Sequence, residues 1–276
     1  MALYRAMETR RPEGRRLFTD PYAACFLDGR LRLASYAAGF PFAERWLYNT
    51  IQRRIPGALA SGLARTRLID DWLEETTAQQ VVILGAGFDT RNLRLPFLRQ
   101  LSVIEIDHPD TSRRKLQILT EHMGQLPANT RYLVIDFDRG NLENLLRQHD
   151  IDISLPITLI WEGVTNYLQQ EAVDAVFDLV GRMATGSTII FTYIDKKVLE
   201  EPAAFFGAQR LLKDLDEIEE RWTFGFHPKA LPAWLAEKNL QLIKDLGASE
   251  YRQKYLSERK HILKGYEFYR VAMATV

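Results

Sequence analysis

The stretch VVILGAGFDTRNLRL, residues 81–95, constrains the fold most, because four apolar residues run directly into Gly-Ala-Gly and then into a polar, charged turn. Gly85 and Gly87 permit a tight turn and a close approach of another group to the backbone. A strand that ends at such glycines and is followed by a helix is typical of sites that bind a nucleoside. Gly-x-Gly alone also occurs in ordinary turns. The residues that follow the neighbouring strands are therefore needed to distinguish a nucleoside site from an ordinary turn.

Short apolar segments rich in β-branched residues alternate with helical patterns from residue 81 onward. The strand candidates are residues 81–84, 101–107, 131–136, 156–162, 187–194, 240–247 and 266–276. Near-continuous apolar strands that alternate with helices favour a parallel sheet covered on both faces. We therefore predict an α/β fold with a seven-stranded, mostly parallel sheet.

The chain of 276 residues, 46% of them hydrophobic, is long enough for one large domain. We predict a single domain over residues 1–276. A helical segment (1–80) and an insertion (195–228) would cap the carboxyl edge of the sheet, where doubly wound sheets bind ligands. Within the first segment, Asp20 as cap and Pro21 at the first helical position predict the start of a helix.

Composition narrows the classes of partner. Lysine and arginine together number 36 and are balanced by 36 acidic residues, so the net charge is zero. The chain as a whole is therefore not attracted to nucleic acid or to anionic membranes, although a local basic patch is compatible with this balance. The single cysteine, Cys25, has no internal disulfide partner, and the first residues lack the apolar stretch of a secretory signal. No segment approaches the roughly 18 apolar residues of a membrane span. We expect a soluble cytoplasmic protein that acts on a small molecule, without a nucleic-acid or membrane partner.

Acidic residues follow three of the predicted strands. Asp107, twenty residues after Gly87, is placed to accept hydrogen bonds from ribose hydroxyls, although it could instead cap the next helix. Asp136 and Phe137 follow the third strand and could contact an adenine, although Asp136 could instead be a surface acid at a strand end. Glu162 follows the fourth strand and suits a positively charged ligand.

The third glycine of the dinucleotide fingerprint G-x-G-x-x-G is absent, because Thr90 occupies its position. A β-branched residue there argues against a helix that starts close to a pyrophosphate. Together with the acids after three strands, this difference favours S-adenosylmethionine over a nicotinamide dinucleotide as the ligand.

The sequence contains no recognisable catalytic dyad and no metal-binding pattern. No histidine stands at metal-ligand spacing from another histidine or from the cysteine, so no metal site is predicted. The catalytic residues stay unknown. His227 is a weak candidate for a general base and otherwise a structural loop residue. Tyr167 and Tyr193, near the ends of two strands, are either pocket walls or part of the core.

Further stretches occur in a characteristic order along the chain: DPYA near the start, ARTRLIDDWL (64–73), VIEIDHP (103–109), VIDFD (134–138), WEGVTNYL (161–168) and WTFGFHP (222–228). With GAGFDTR, they make the chain resemble the leucine carboxyl methyltransferase family, in particular its bacterial S-adenosylmethionine-dependent O-methyltransferase branch. That branch is similar to polyketide O-methyltransferases. Phe137 and Trp161 depart from the smaller or aliphatic residues common in this pattern.

The resemblance implies a class I methyltransferase (Rossmann-like) sheet with a helical cap, S-adenosylmethionine as cofactor, and methylation of a carboxylate or hydroxyl oxygen of a small molecule. It implies that Arg65 pairs with the carboxylate of the methionine moiety and that Glu162 lies near its amino end. The other implied cofactor residues are Gly85, Ala86, Gly87 and Asp89 at the turn, Asp107 at the ribose, and Asp136 and Phe137 at the adenine. Two alternatives stay open: a nicotinamide-dependent oxidoreductase, and a cofactor-binding protein that has lost turnover.

Overall fold

The computed structural model describes residues 1–137, 140–259 and 265–276. Of the five histidines considered as metal ligands, His261 lies outside the described residues. The strands are β1 (Gln80–Leu84), β2 (Ser102–Asp107), β3 (Thr130–Val134), β4 (Ile157–Trp161), β5 (Thr188–Ile194), β6 (Gln241–Gly247) and β7 (Tyr269–Thr275). They form one sheet in the order β3-β2-β1-β4-β5-β7-β6. Only β7 runs against its neighbours β5 and β6, so the predicted seven-stranded, mostly parallel sheet is confirmed.

The strand order reverses at β1, which pairs with β2 on one side and with β4 on the other. The register aligns Leu84 with Ile106 and with Trp161. The next residue of each strand segment therefore lies at the same carboxyl edge, and these residues are Gly85, Asp107 and Glu162. This reversal point is where doubly wound sheets open a ligand crevice.

Twelve α-helices and several short 3-10 helices surround the sheet within the described residues. The α-helices are α1 (Ala2–Thr9), α2 (Gly29–Ala37), α3 (Pro41–Arg54), α4 (Ala58–Glu74), α5 (Arg91–Arg94), α6 (Pro109–Met123), α7 (Leu142–Gln148), α8 (Gln170–Val180), α9 (Lys197–Glu200), α10 (Ala208–Glu217), α11 (Leu231–Glu237) and α12 (Ala248–Leu256). Among them, none combines the length and the apolar content that a helix needs to cross a bilayer.

Alternating residues of the central strands face two separate apolar cores. Val82 and Leu84 belong to a core shared with α7, α8 and α11, whereas Val81 and Ile83 belong to a second core shared with α4 and α12. This alternation follows from the two-residue period of a strand. It explains why the strand segments are apolar at nearly every position, since both faces are buried.

The predicted helix start at Asp20 and Pro21 is only partly right. The segment forms a short 3-10 helix, Ala23–Phe26, and no α-helix. Asp20 accepts hydrogen bonds from the backbone N–H groups of Tyr22 and Ala23, at 3.2 and 3.0 Å, as a capping residue would. Its carboxylate also accepts hydrogen bonds from Arg5 and Thr90, so tertiary contacts determine its position.

The two ends of the insertion after β5 lie next to each other. Asp195 and Phe226 form an isolated parallel bridge, and the Lys196 N–H donates to the Phe226 carbonyl at 2.9 Å. Between these residues lie α9, a 3-10 helix (Pro202–Ala204) and α10. Trp222 of this segment packs edge-on against Phe268 and Tyr269 of the final strand region.

A buried ion pair fixes helix α1 to the residues that follow α12. Arg259 contacts both carboxylate oxygens of Glu8, Nη1 to Oε2 at 2.9 Å and Nη2 to Oε1 at 2.7 Å. The Glu8 side chain is fully buried, and it also accepts a hydrogen bond from the Leu17 N–H at 2.7 Å. Since α1 borders the crevice described below, this pair holds one wall of the site in place.

We expect the substitution Arg259→Ala to lower the free energy of unfolding by about 3–5 kcal/mol, because it leaves the Glu8 carboxylate buried without its counter-charge. A matched control is Arg182→Ala, which removes a half-exposed pair with Glu143 and should change that free energy by less than about 1 kcal/mol. Urea denaturation of the two variants measures both values. Equal effects in the two variants would show that the buried pair does not fix α1.

Candidate active site

The turn after β1 needs glycine at two positions. Gly85 and Gly87 both have positive φ angles, +62° and +46°. A Cβ atom at Gly85 would also collide with the side chain of Val164. The N–H groups of Gly85 and Ala86 donate to the carbonyl of Ile106, at 2.8 and 3.2 Å, which holds the turn against the end of β2. The turn therefore has the shape predicted from the sequence.

A cavity of about 390 Å³ opens beside this turn. Helices α1 and α4, the turn itself, the ends of β4 and β5, Trp222 and Tyr269 form its wall. The predicted residues that line it are Arg65, Gly85, Ala86, Gly87, Asp89, Glu162, Tyr167 and Tyr193. Asp107, Asp136, Phe137 and His227 are not part of this wall.

Opposite charges meet at one end of the cavity. Arg65 Nε lies 2.8 Å from Glu162 Oε1, and Arg91 Nη2 lies 2.9 Å from Glu162 Oε2. Burial by itself would raise the pKa of the Glu162 carboxyl, but the two guanidinium groups outweigh burial and lower it. Glu162 is therefore an ionised carboxylate held between two arginines.

Arg91 connects this pair to the rest of the site. Its Nε lies 2.8 Å from Asp70 Oδ1, and its Nη1 pairs with Asp89 Oδ2. Burial opposes ionisation of Asp89, but Arg91 and more distant cations hold its pKa at about 2. Arg94 adds two hydrogen bonds to Asp70, at 2.6 and 2.8 Å. Arg91 thus contacts three carboxylates while its own side chain is only 3% exposed.

The sequence interpretation missed Arg91, although GAGFDTR ends on it. The sequence signal was the position of a charged residue shortly after the glycine turn. In the structure, Arg91 begins α5 and is buried. Its partner Asp70 is 21 residues away in the sequence, and no local pattern reports such a contact.

Asp107 is attached to the glycine turn. Its Oδ2 accepts a hydrogen bond from the Gly87 N–H, and its Oδ1 accepts one from the His108 N–H at 2.6 Å. The alternative role as a helix cap falls to His108, the N-cap of α6. Asp107 is therefore positioned by the turn and remains half-buried at the carboxyl edge.

Asp136 and Phe137 lie next to Asp107, because β3 pairs Val134 with Asp107 and the Ile135 N–H donates to the Asp107 carbonyl at 3.0 Å. Phe137 is half-buried and packs against the core that contains Val82. The structure therefore brings the three residues to one edge, alongside the cavity rather than inside it.

None of the three weak catalytic candidates is placed as a free base in the cavity. His227 is half-exposed, with its Nε2 3.4 Å from Glu200 Oε1, outside the cavity wall. The Tyr193 hydroxyl lies 2.8 Å from Asp245 Oδ2, accepts a hydrogen bond from Arg270 Nε at 2.9 Å, and has a pKa raised mainly by burial. Tyr167 is 40% exposed and forms part of the wall.

A second buried cluster joins α1 to the turn. Asp20 pairs with Arg5 Nε at 2.7 Å and accepts a hydrogen bond from the Thr90 hydroxyl at 2.6 Å. Arg5 Nη2 donates to the carbonyl of Phe88 at 2.5 Å. Thr90 is 1% exposed, so the residue that replaces the third fingerprint glycine has a structural role of its own.

Comparison with known proteins identifies relatives that match about two thirds of the chain. A candidate S-adenosyl-L-methionine-dependent methyltransferase of Mycobacterium sp. (strain JLS) is 33% identical over 199 residues, which cover 70% of this chain and 64% of that protein. A similarly described protein of Mycobacterium avium (strain 104) is 32% identical over 196 residues, 67% of this chain and 63% of the relative. The chain thus spans less than two thirds of the length of these curated relatives.

Solved structures share the fold at low sequence identity. A candidate methyltransferase of Thermobifida fusca YX has a TM-score of 0.60 at 17% identity, covering 98% of this chain and 96% of that one. A DUF574 family protein of Streptomyces avermitilis MA-4680 has a TM-score of 0.57 at 14% identity, covering 98% and 99%. These likenesses support the class I methyltransferase fold implied by the sequence.

The family model named leucine carboxyl methyltransferase matches residues 1–181, which include α1, the glycine turn, both buried ion clusters and Glu162. The resemblance seen in the sequence is therefore confirmed, and the chain belongs to the leucine carboxyl methyltransferase family.

Proposed function

We propose that this protein is an S-adenosylmethionine-dependent O-methyltransferase that methylates a carboxylate of a small-molecule acceptor. The observation that carries the proposal is the Arg65–Glu162 pair beside the glycine turn, in a cavity of about 390 Å³. One cation and one anion, side by side, complement the carboxylate and ammonium groups of a methionine moiety. The cavity volume lies within the range of small-ligand pockets.

The remaining predicted residues fit the nucleoside part of this cofactor. The positive φ angles of Gly85 and Gly87 leave their backbone open to close approach. Asp107 would hold ribose hydroxyls, and Asp136 and Phe137, beside it at the same edge, would contact the adenine. Bound S-adenosylmethionine supplies a methyl group already activated by the positive charge of its sulfonium. The protein then has to orient the acceptor and exclude water.

The side chains that line the cavity favour a carboxylate acceptor over a hydroxyl. Asp89 and Glu162 have lowered pKa values because arginines face them. Tyr4, Tyr193 and Tyr269 have raised pKa values, mainly because they are buried. No lining residue among those described is a histidine, lysine or cysteine. A carboxylate is ionised at about pH 7 and needs no base, whereas an alcohol or phenol would benefit from one.

Aromatic residues of the two predicted cap segments line the cavity. Tyr4 comes from α1 within residues 1–80, and Trp222 comes from the insertion at 195–228. Tyr167 and Tyr269 add two further aromatic rings, and Asn166 adds an amide. We propose that this aromatic wall binds an apolar acceptor and presents its carboxylate toward the cofactor.

We expect Arg65→Ala to weaken S-adenosylmethionine binding by about 1–3 kcal/mol, because the carboxylate of the ligand loses its charged partner. The matched control is Arg67→Ala on the same helix. Arg67 pairs with Asp71 and does not line the cavity, so its loss should leave the affinity unchanged. Isothermal titration with S-adenosylmethionine, S-adenosylhomocysteine and NAD measures these affinities, and wild-type protein should not bind NAD. Equal S-adenosylmethionine affinities of the wild type, Arg65→Ala and Arg67→Ala would contradict the assignment of Arg65.

With a carboxylic acid as acceptor, we expect kcat/KM to stay constant between about pH 7.5 and 9, since neither the acceptor nor a lining side chain with a shifted pKa titrates there. Initial rates of methyl-ester formation against a panel of carboxylic acids and phenols test this expectation. Faster turnover of phenols, with a rate that rises through this range, would contradict the carboxylate assignment. Cofactor binding without transfer to any member of the panel would indicate a binding protein instead.

A further inference from the structure

Exposed apolar side chains are concentrated on α2, α3 and the turn that joins them. Seven of the fourteen large apolar residues exposed among the described residues lie between positions 31 and 55. The three most exposed are Phe42 at 87%, and Leu33 and Phe40 at 71% each. Monomeric proteins rarely leave such residues clustered unless the surface binds something. We refer to the exposed residues of 30–55 as the α2–α3 surface.

Helix α3 has two distinct faces. Tyr48 is buried in the core that contains α4, and Leu47 and Ile51 pack against it. The opposite face is exposed and carries Phe42, Arg45, Trp46, Asn49 and Arg53. These positions are separated by three, one, three and four residues, so they form one continuous stripe along the helix. The stripe combines two aromatic residues with two arginines.

The same surface is strongly basic, although the whole chain has a net charge of zero. Residues 29–55 contain five arginines and a single acid, Glu44, which pairs with Arg11. Within the described part of the chain, none of the five arginines forms an ion pair. They are Arg30, Arg32, Arg45, Arg53 and Arg54, all of them exposed. Their charge therefore remains available to an anionic partner.

We propose that the α2–α3 surface docks this protein peripherally on an anionic lipid membrane. Phenylalanine and tryptophan on one helical face, next to arginines, are the pattern of helices that lie in the headgroup region of a bilayer. Arginines near an anionic surface add an attraction that falls with salt. A peripheral membrane contact departs from the expectation of no membrane partner, which rested on the zero net charge of the whole chain and on the lack of a segment long enough to span a bilayer.

Two features favour lipid over another protein surface. A second copy of this chain, related by a two-fold axis, would place these arginines opposite one another, which is unfavourable. Phe40 and Phe42 stand at the corner between two helices and are 71% and 87% exposed. Such side chains can enter the headgroup region without a preformed pocket on the partner.

The test is co-sedimentation of the full chain with vesicles of phosphatidylcholine alone and of phosphatidylcholine mixed with phosphatidylglycerol. We expect binding to the mixed vesicles only, weakened by added salt. Phe42→Ser should reduce partitioning by about tenfold, because the variant has no phenylalanine side chain to bury in the bilayer. Arg53→Gln should reduce it by about fivefold.

Two control variants match these changes elsewhere on the surface. Ile218 is 62% exposed and lies outside the α2–α3 surface. Arg99 is exposed and has no ion-pair partner among the residues that the structure describes. Ile218→Ser and Arg99→Gln should bind vesicles as the wild type does. Unchanged thermal melting of all four variants would establish that they are folded.

Trp46 provides a second readout, because it is 62% exposed whereas Trp72 and Trp161 are almost fully buried. Its fluorescence should shift to shorter wavelength on anionic vesicles. Trp46→Phe should retain sedimentation and lose most of the shift. Absence of vesicle binding, or equal losses in the test and control variants, would overturn the proposal. The proposal would also be overturned if sedimentation equilibrium showed a dimer and the Phe42→Ser variant were monomeric.

Discussion

The guanidinium of Arg91 is buried among three carboxylates, and the site depends on this arrangement. Asp70 belongs to α4, Asp89 to the glycine turn and Glu162 to the end of β4, so one side chain joins three separate parts of the chain. An arginine can do this because it offers five N–H donors in a fixed plane, which a lysine does not. Arg91 and Arg65 together keep the Glu162 carboxylate ionised.

The buried ion pairs around Arg91 contribute more to the geometry of the site than to the stability of the fold. Buried ion pairs gain little net stability, because desolvation offsets much of their attraction. Their main effect here is to fix geometry. The Arg5–Asp20–Thr90 cluster acts similarly, since it joins α1 to the glycine turn. The cavity is thus assembled from segments far apart in the sequence, since its lining extends from Met1 to Tyr269 and the paired Arg65 and Glu162 are 97 residues apart.

Most of the sheet could be predicted from the sequence, because the central strands β1, β4 and β5 are apolar on both faces and the strands alternate with turns and helices. The positions of Gly85, Asp107 and Glu162 at one edge followed from the same pattern. Side-chain pairs across the fold could not be predicted, since the contact of Arg91 with Asp70 has no local signature. Asp20 caps backbone N–H groups as the sequence predicted, but the segment that follows forms only a 3-10 helix, and Asp20 is also held by Arg5 and Thr90. The net charge concealed the basic α2–α3 surface because acids elsewhere cancel it.

The crystal structure of the protein with S-adenosylhomocysteine tests the central claim most directly. We predict that the amino-acid end of the ligand separates Arg65 from Glu162, and that Arg91 keeps its contact with Glu162. Ribose hydroxyls should lie against Asp107. A ligand bound elsewhere, with the 2.8 Å contact between Arg65 and Glu162 intact, would contradict it.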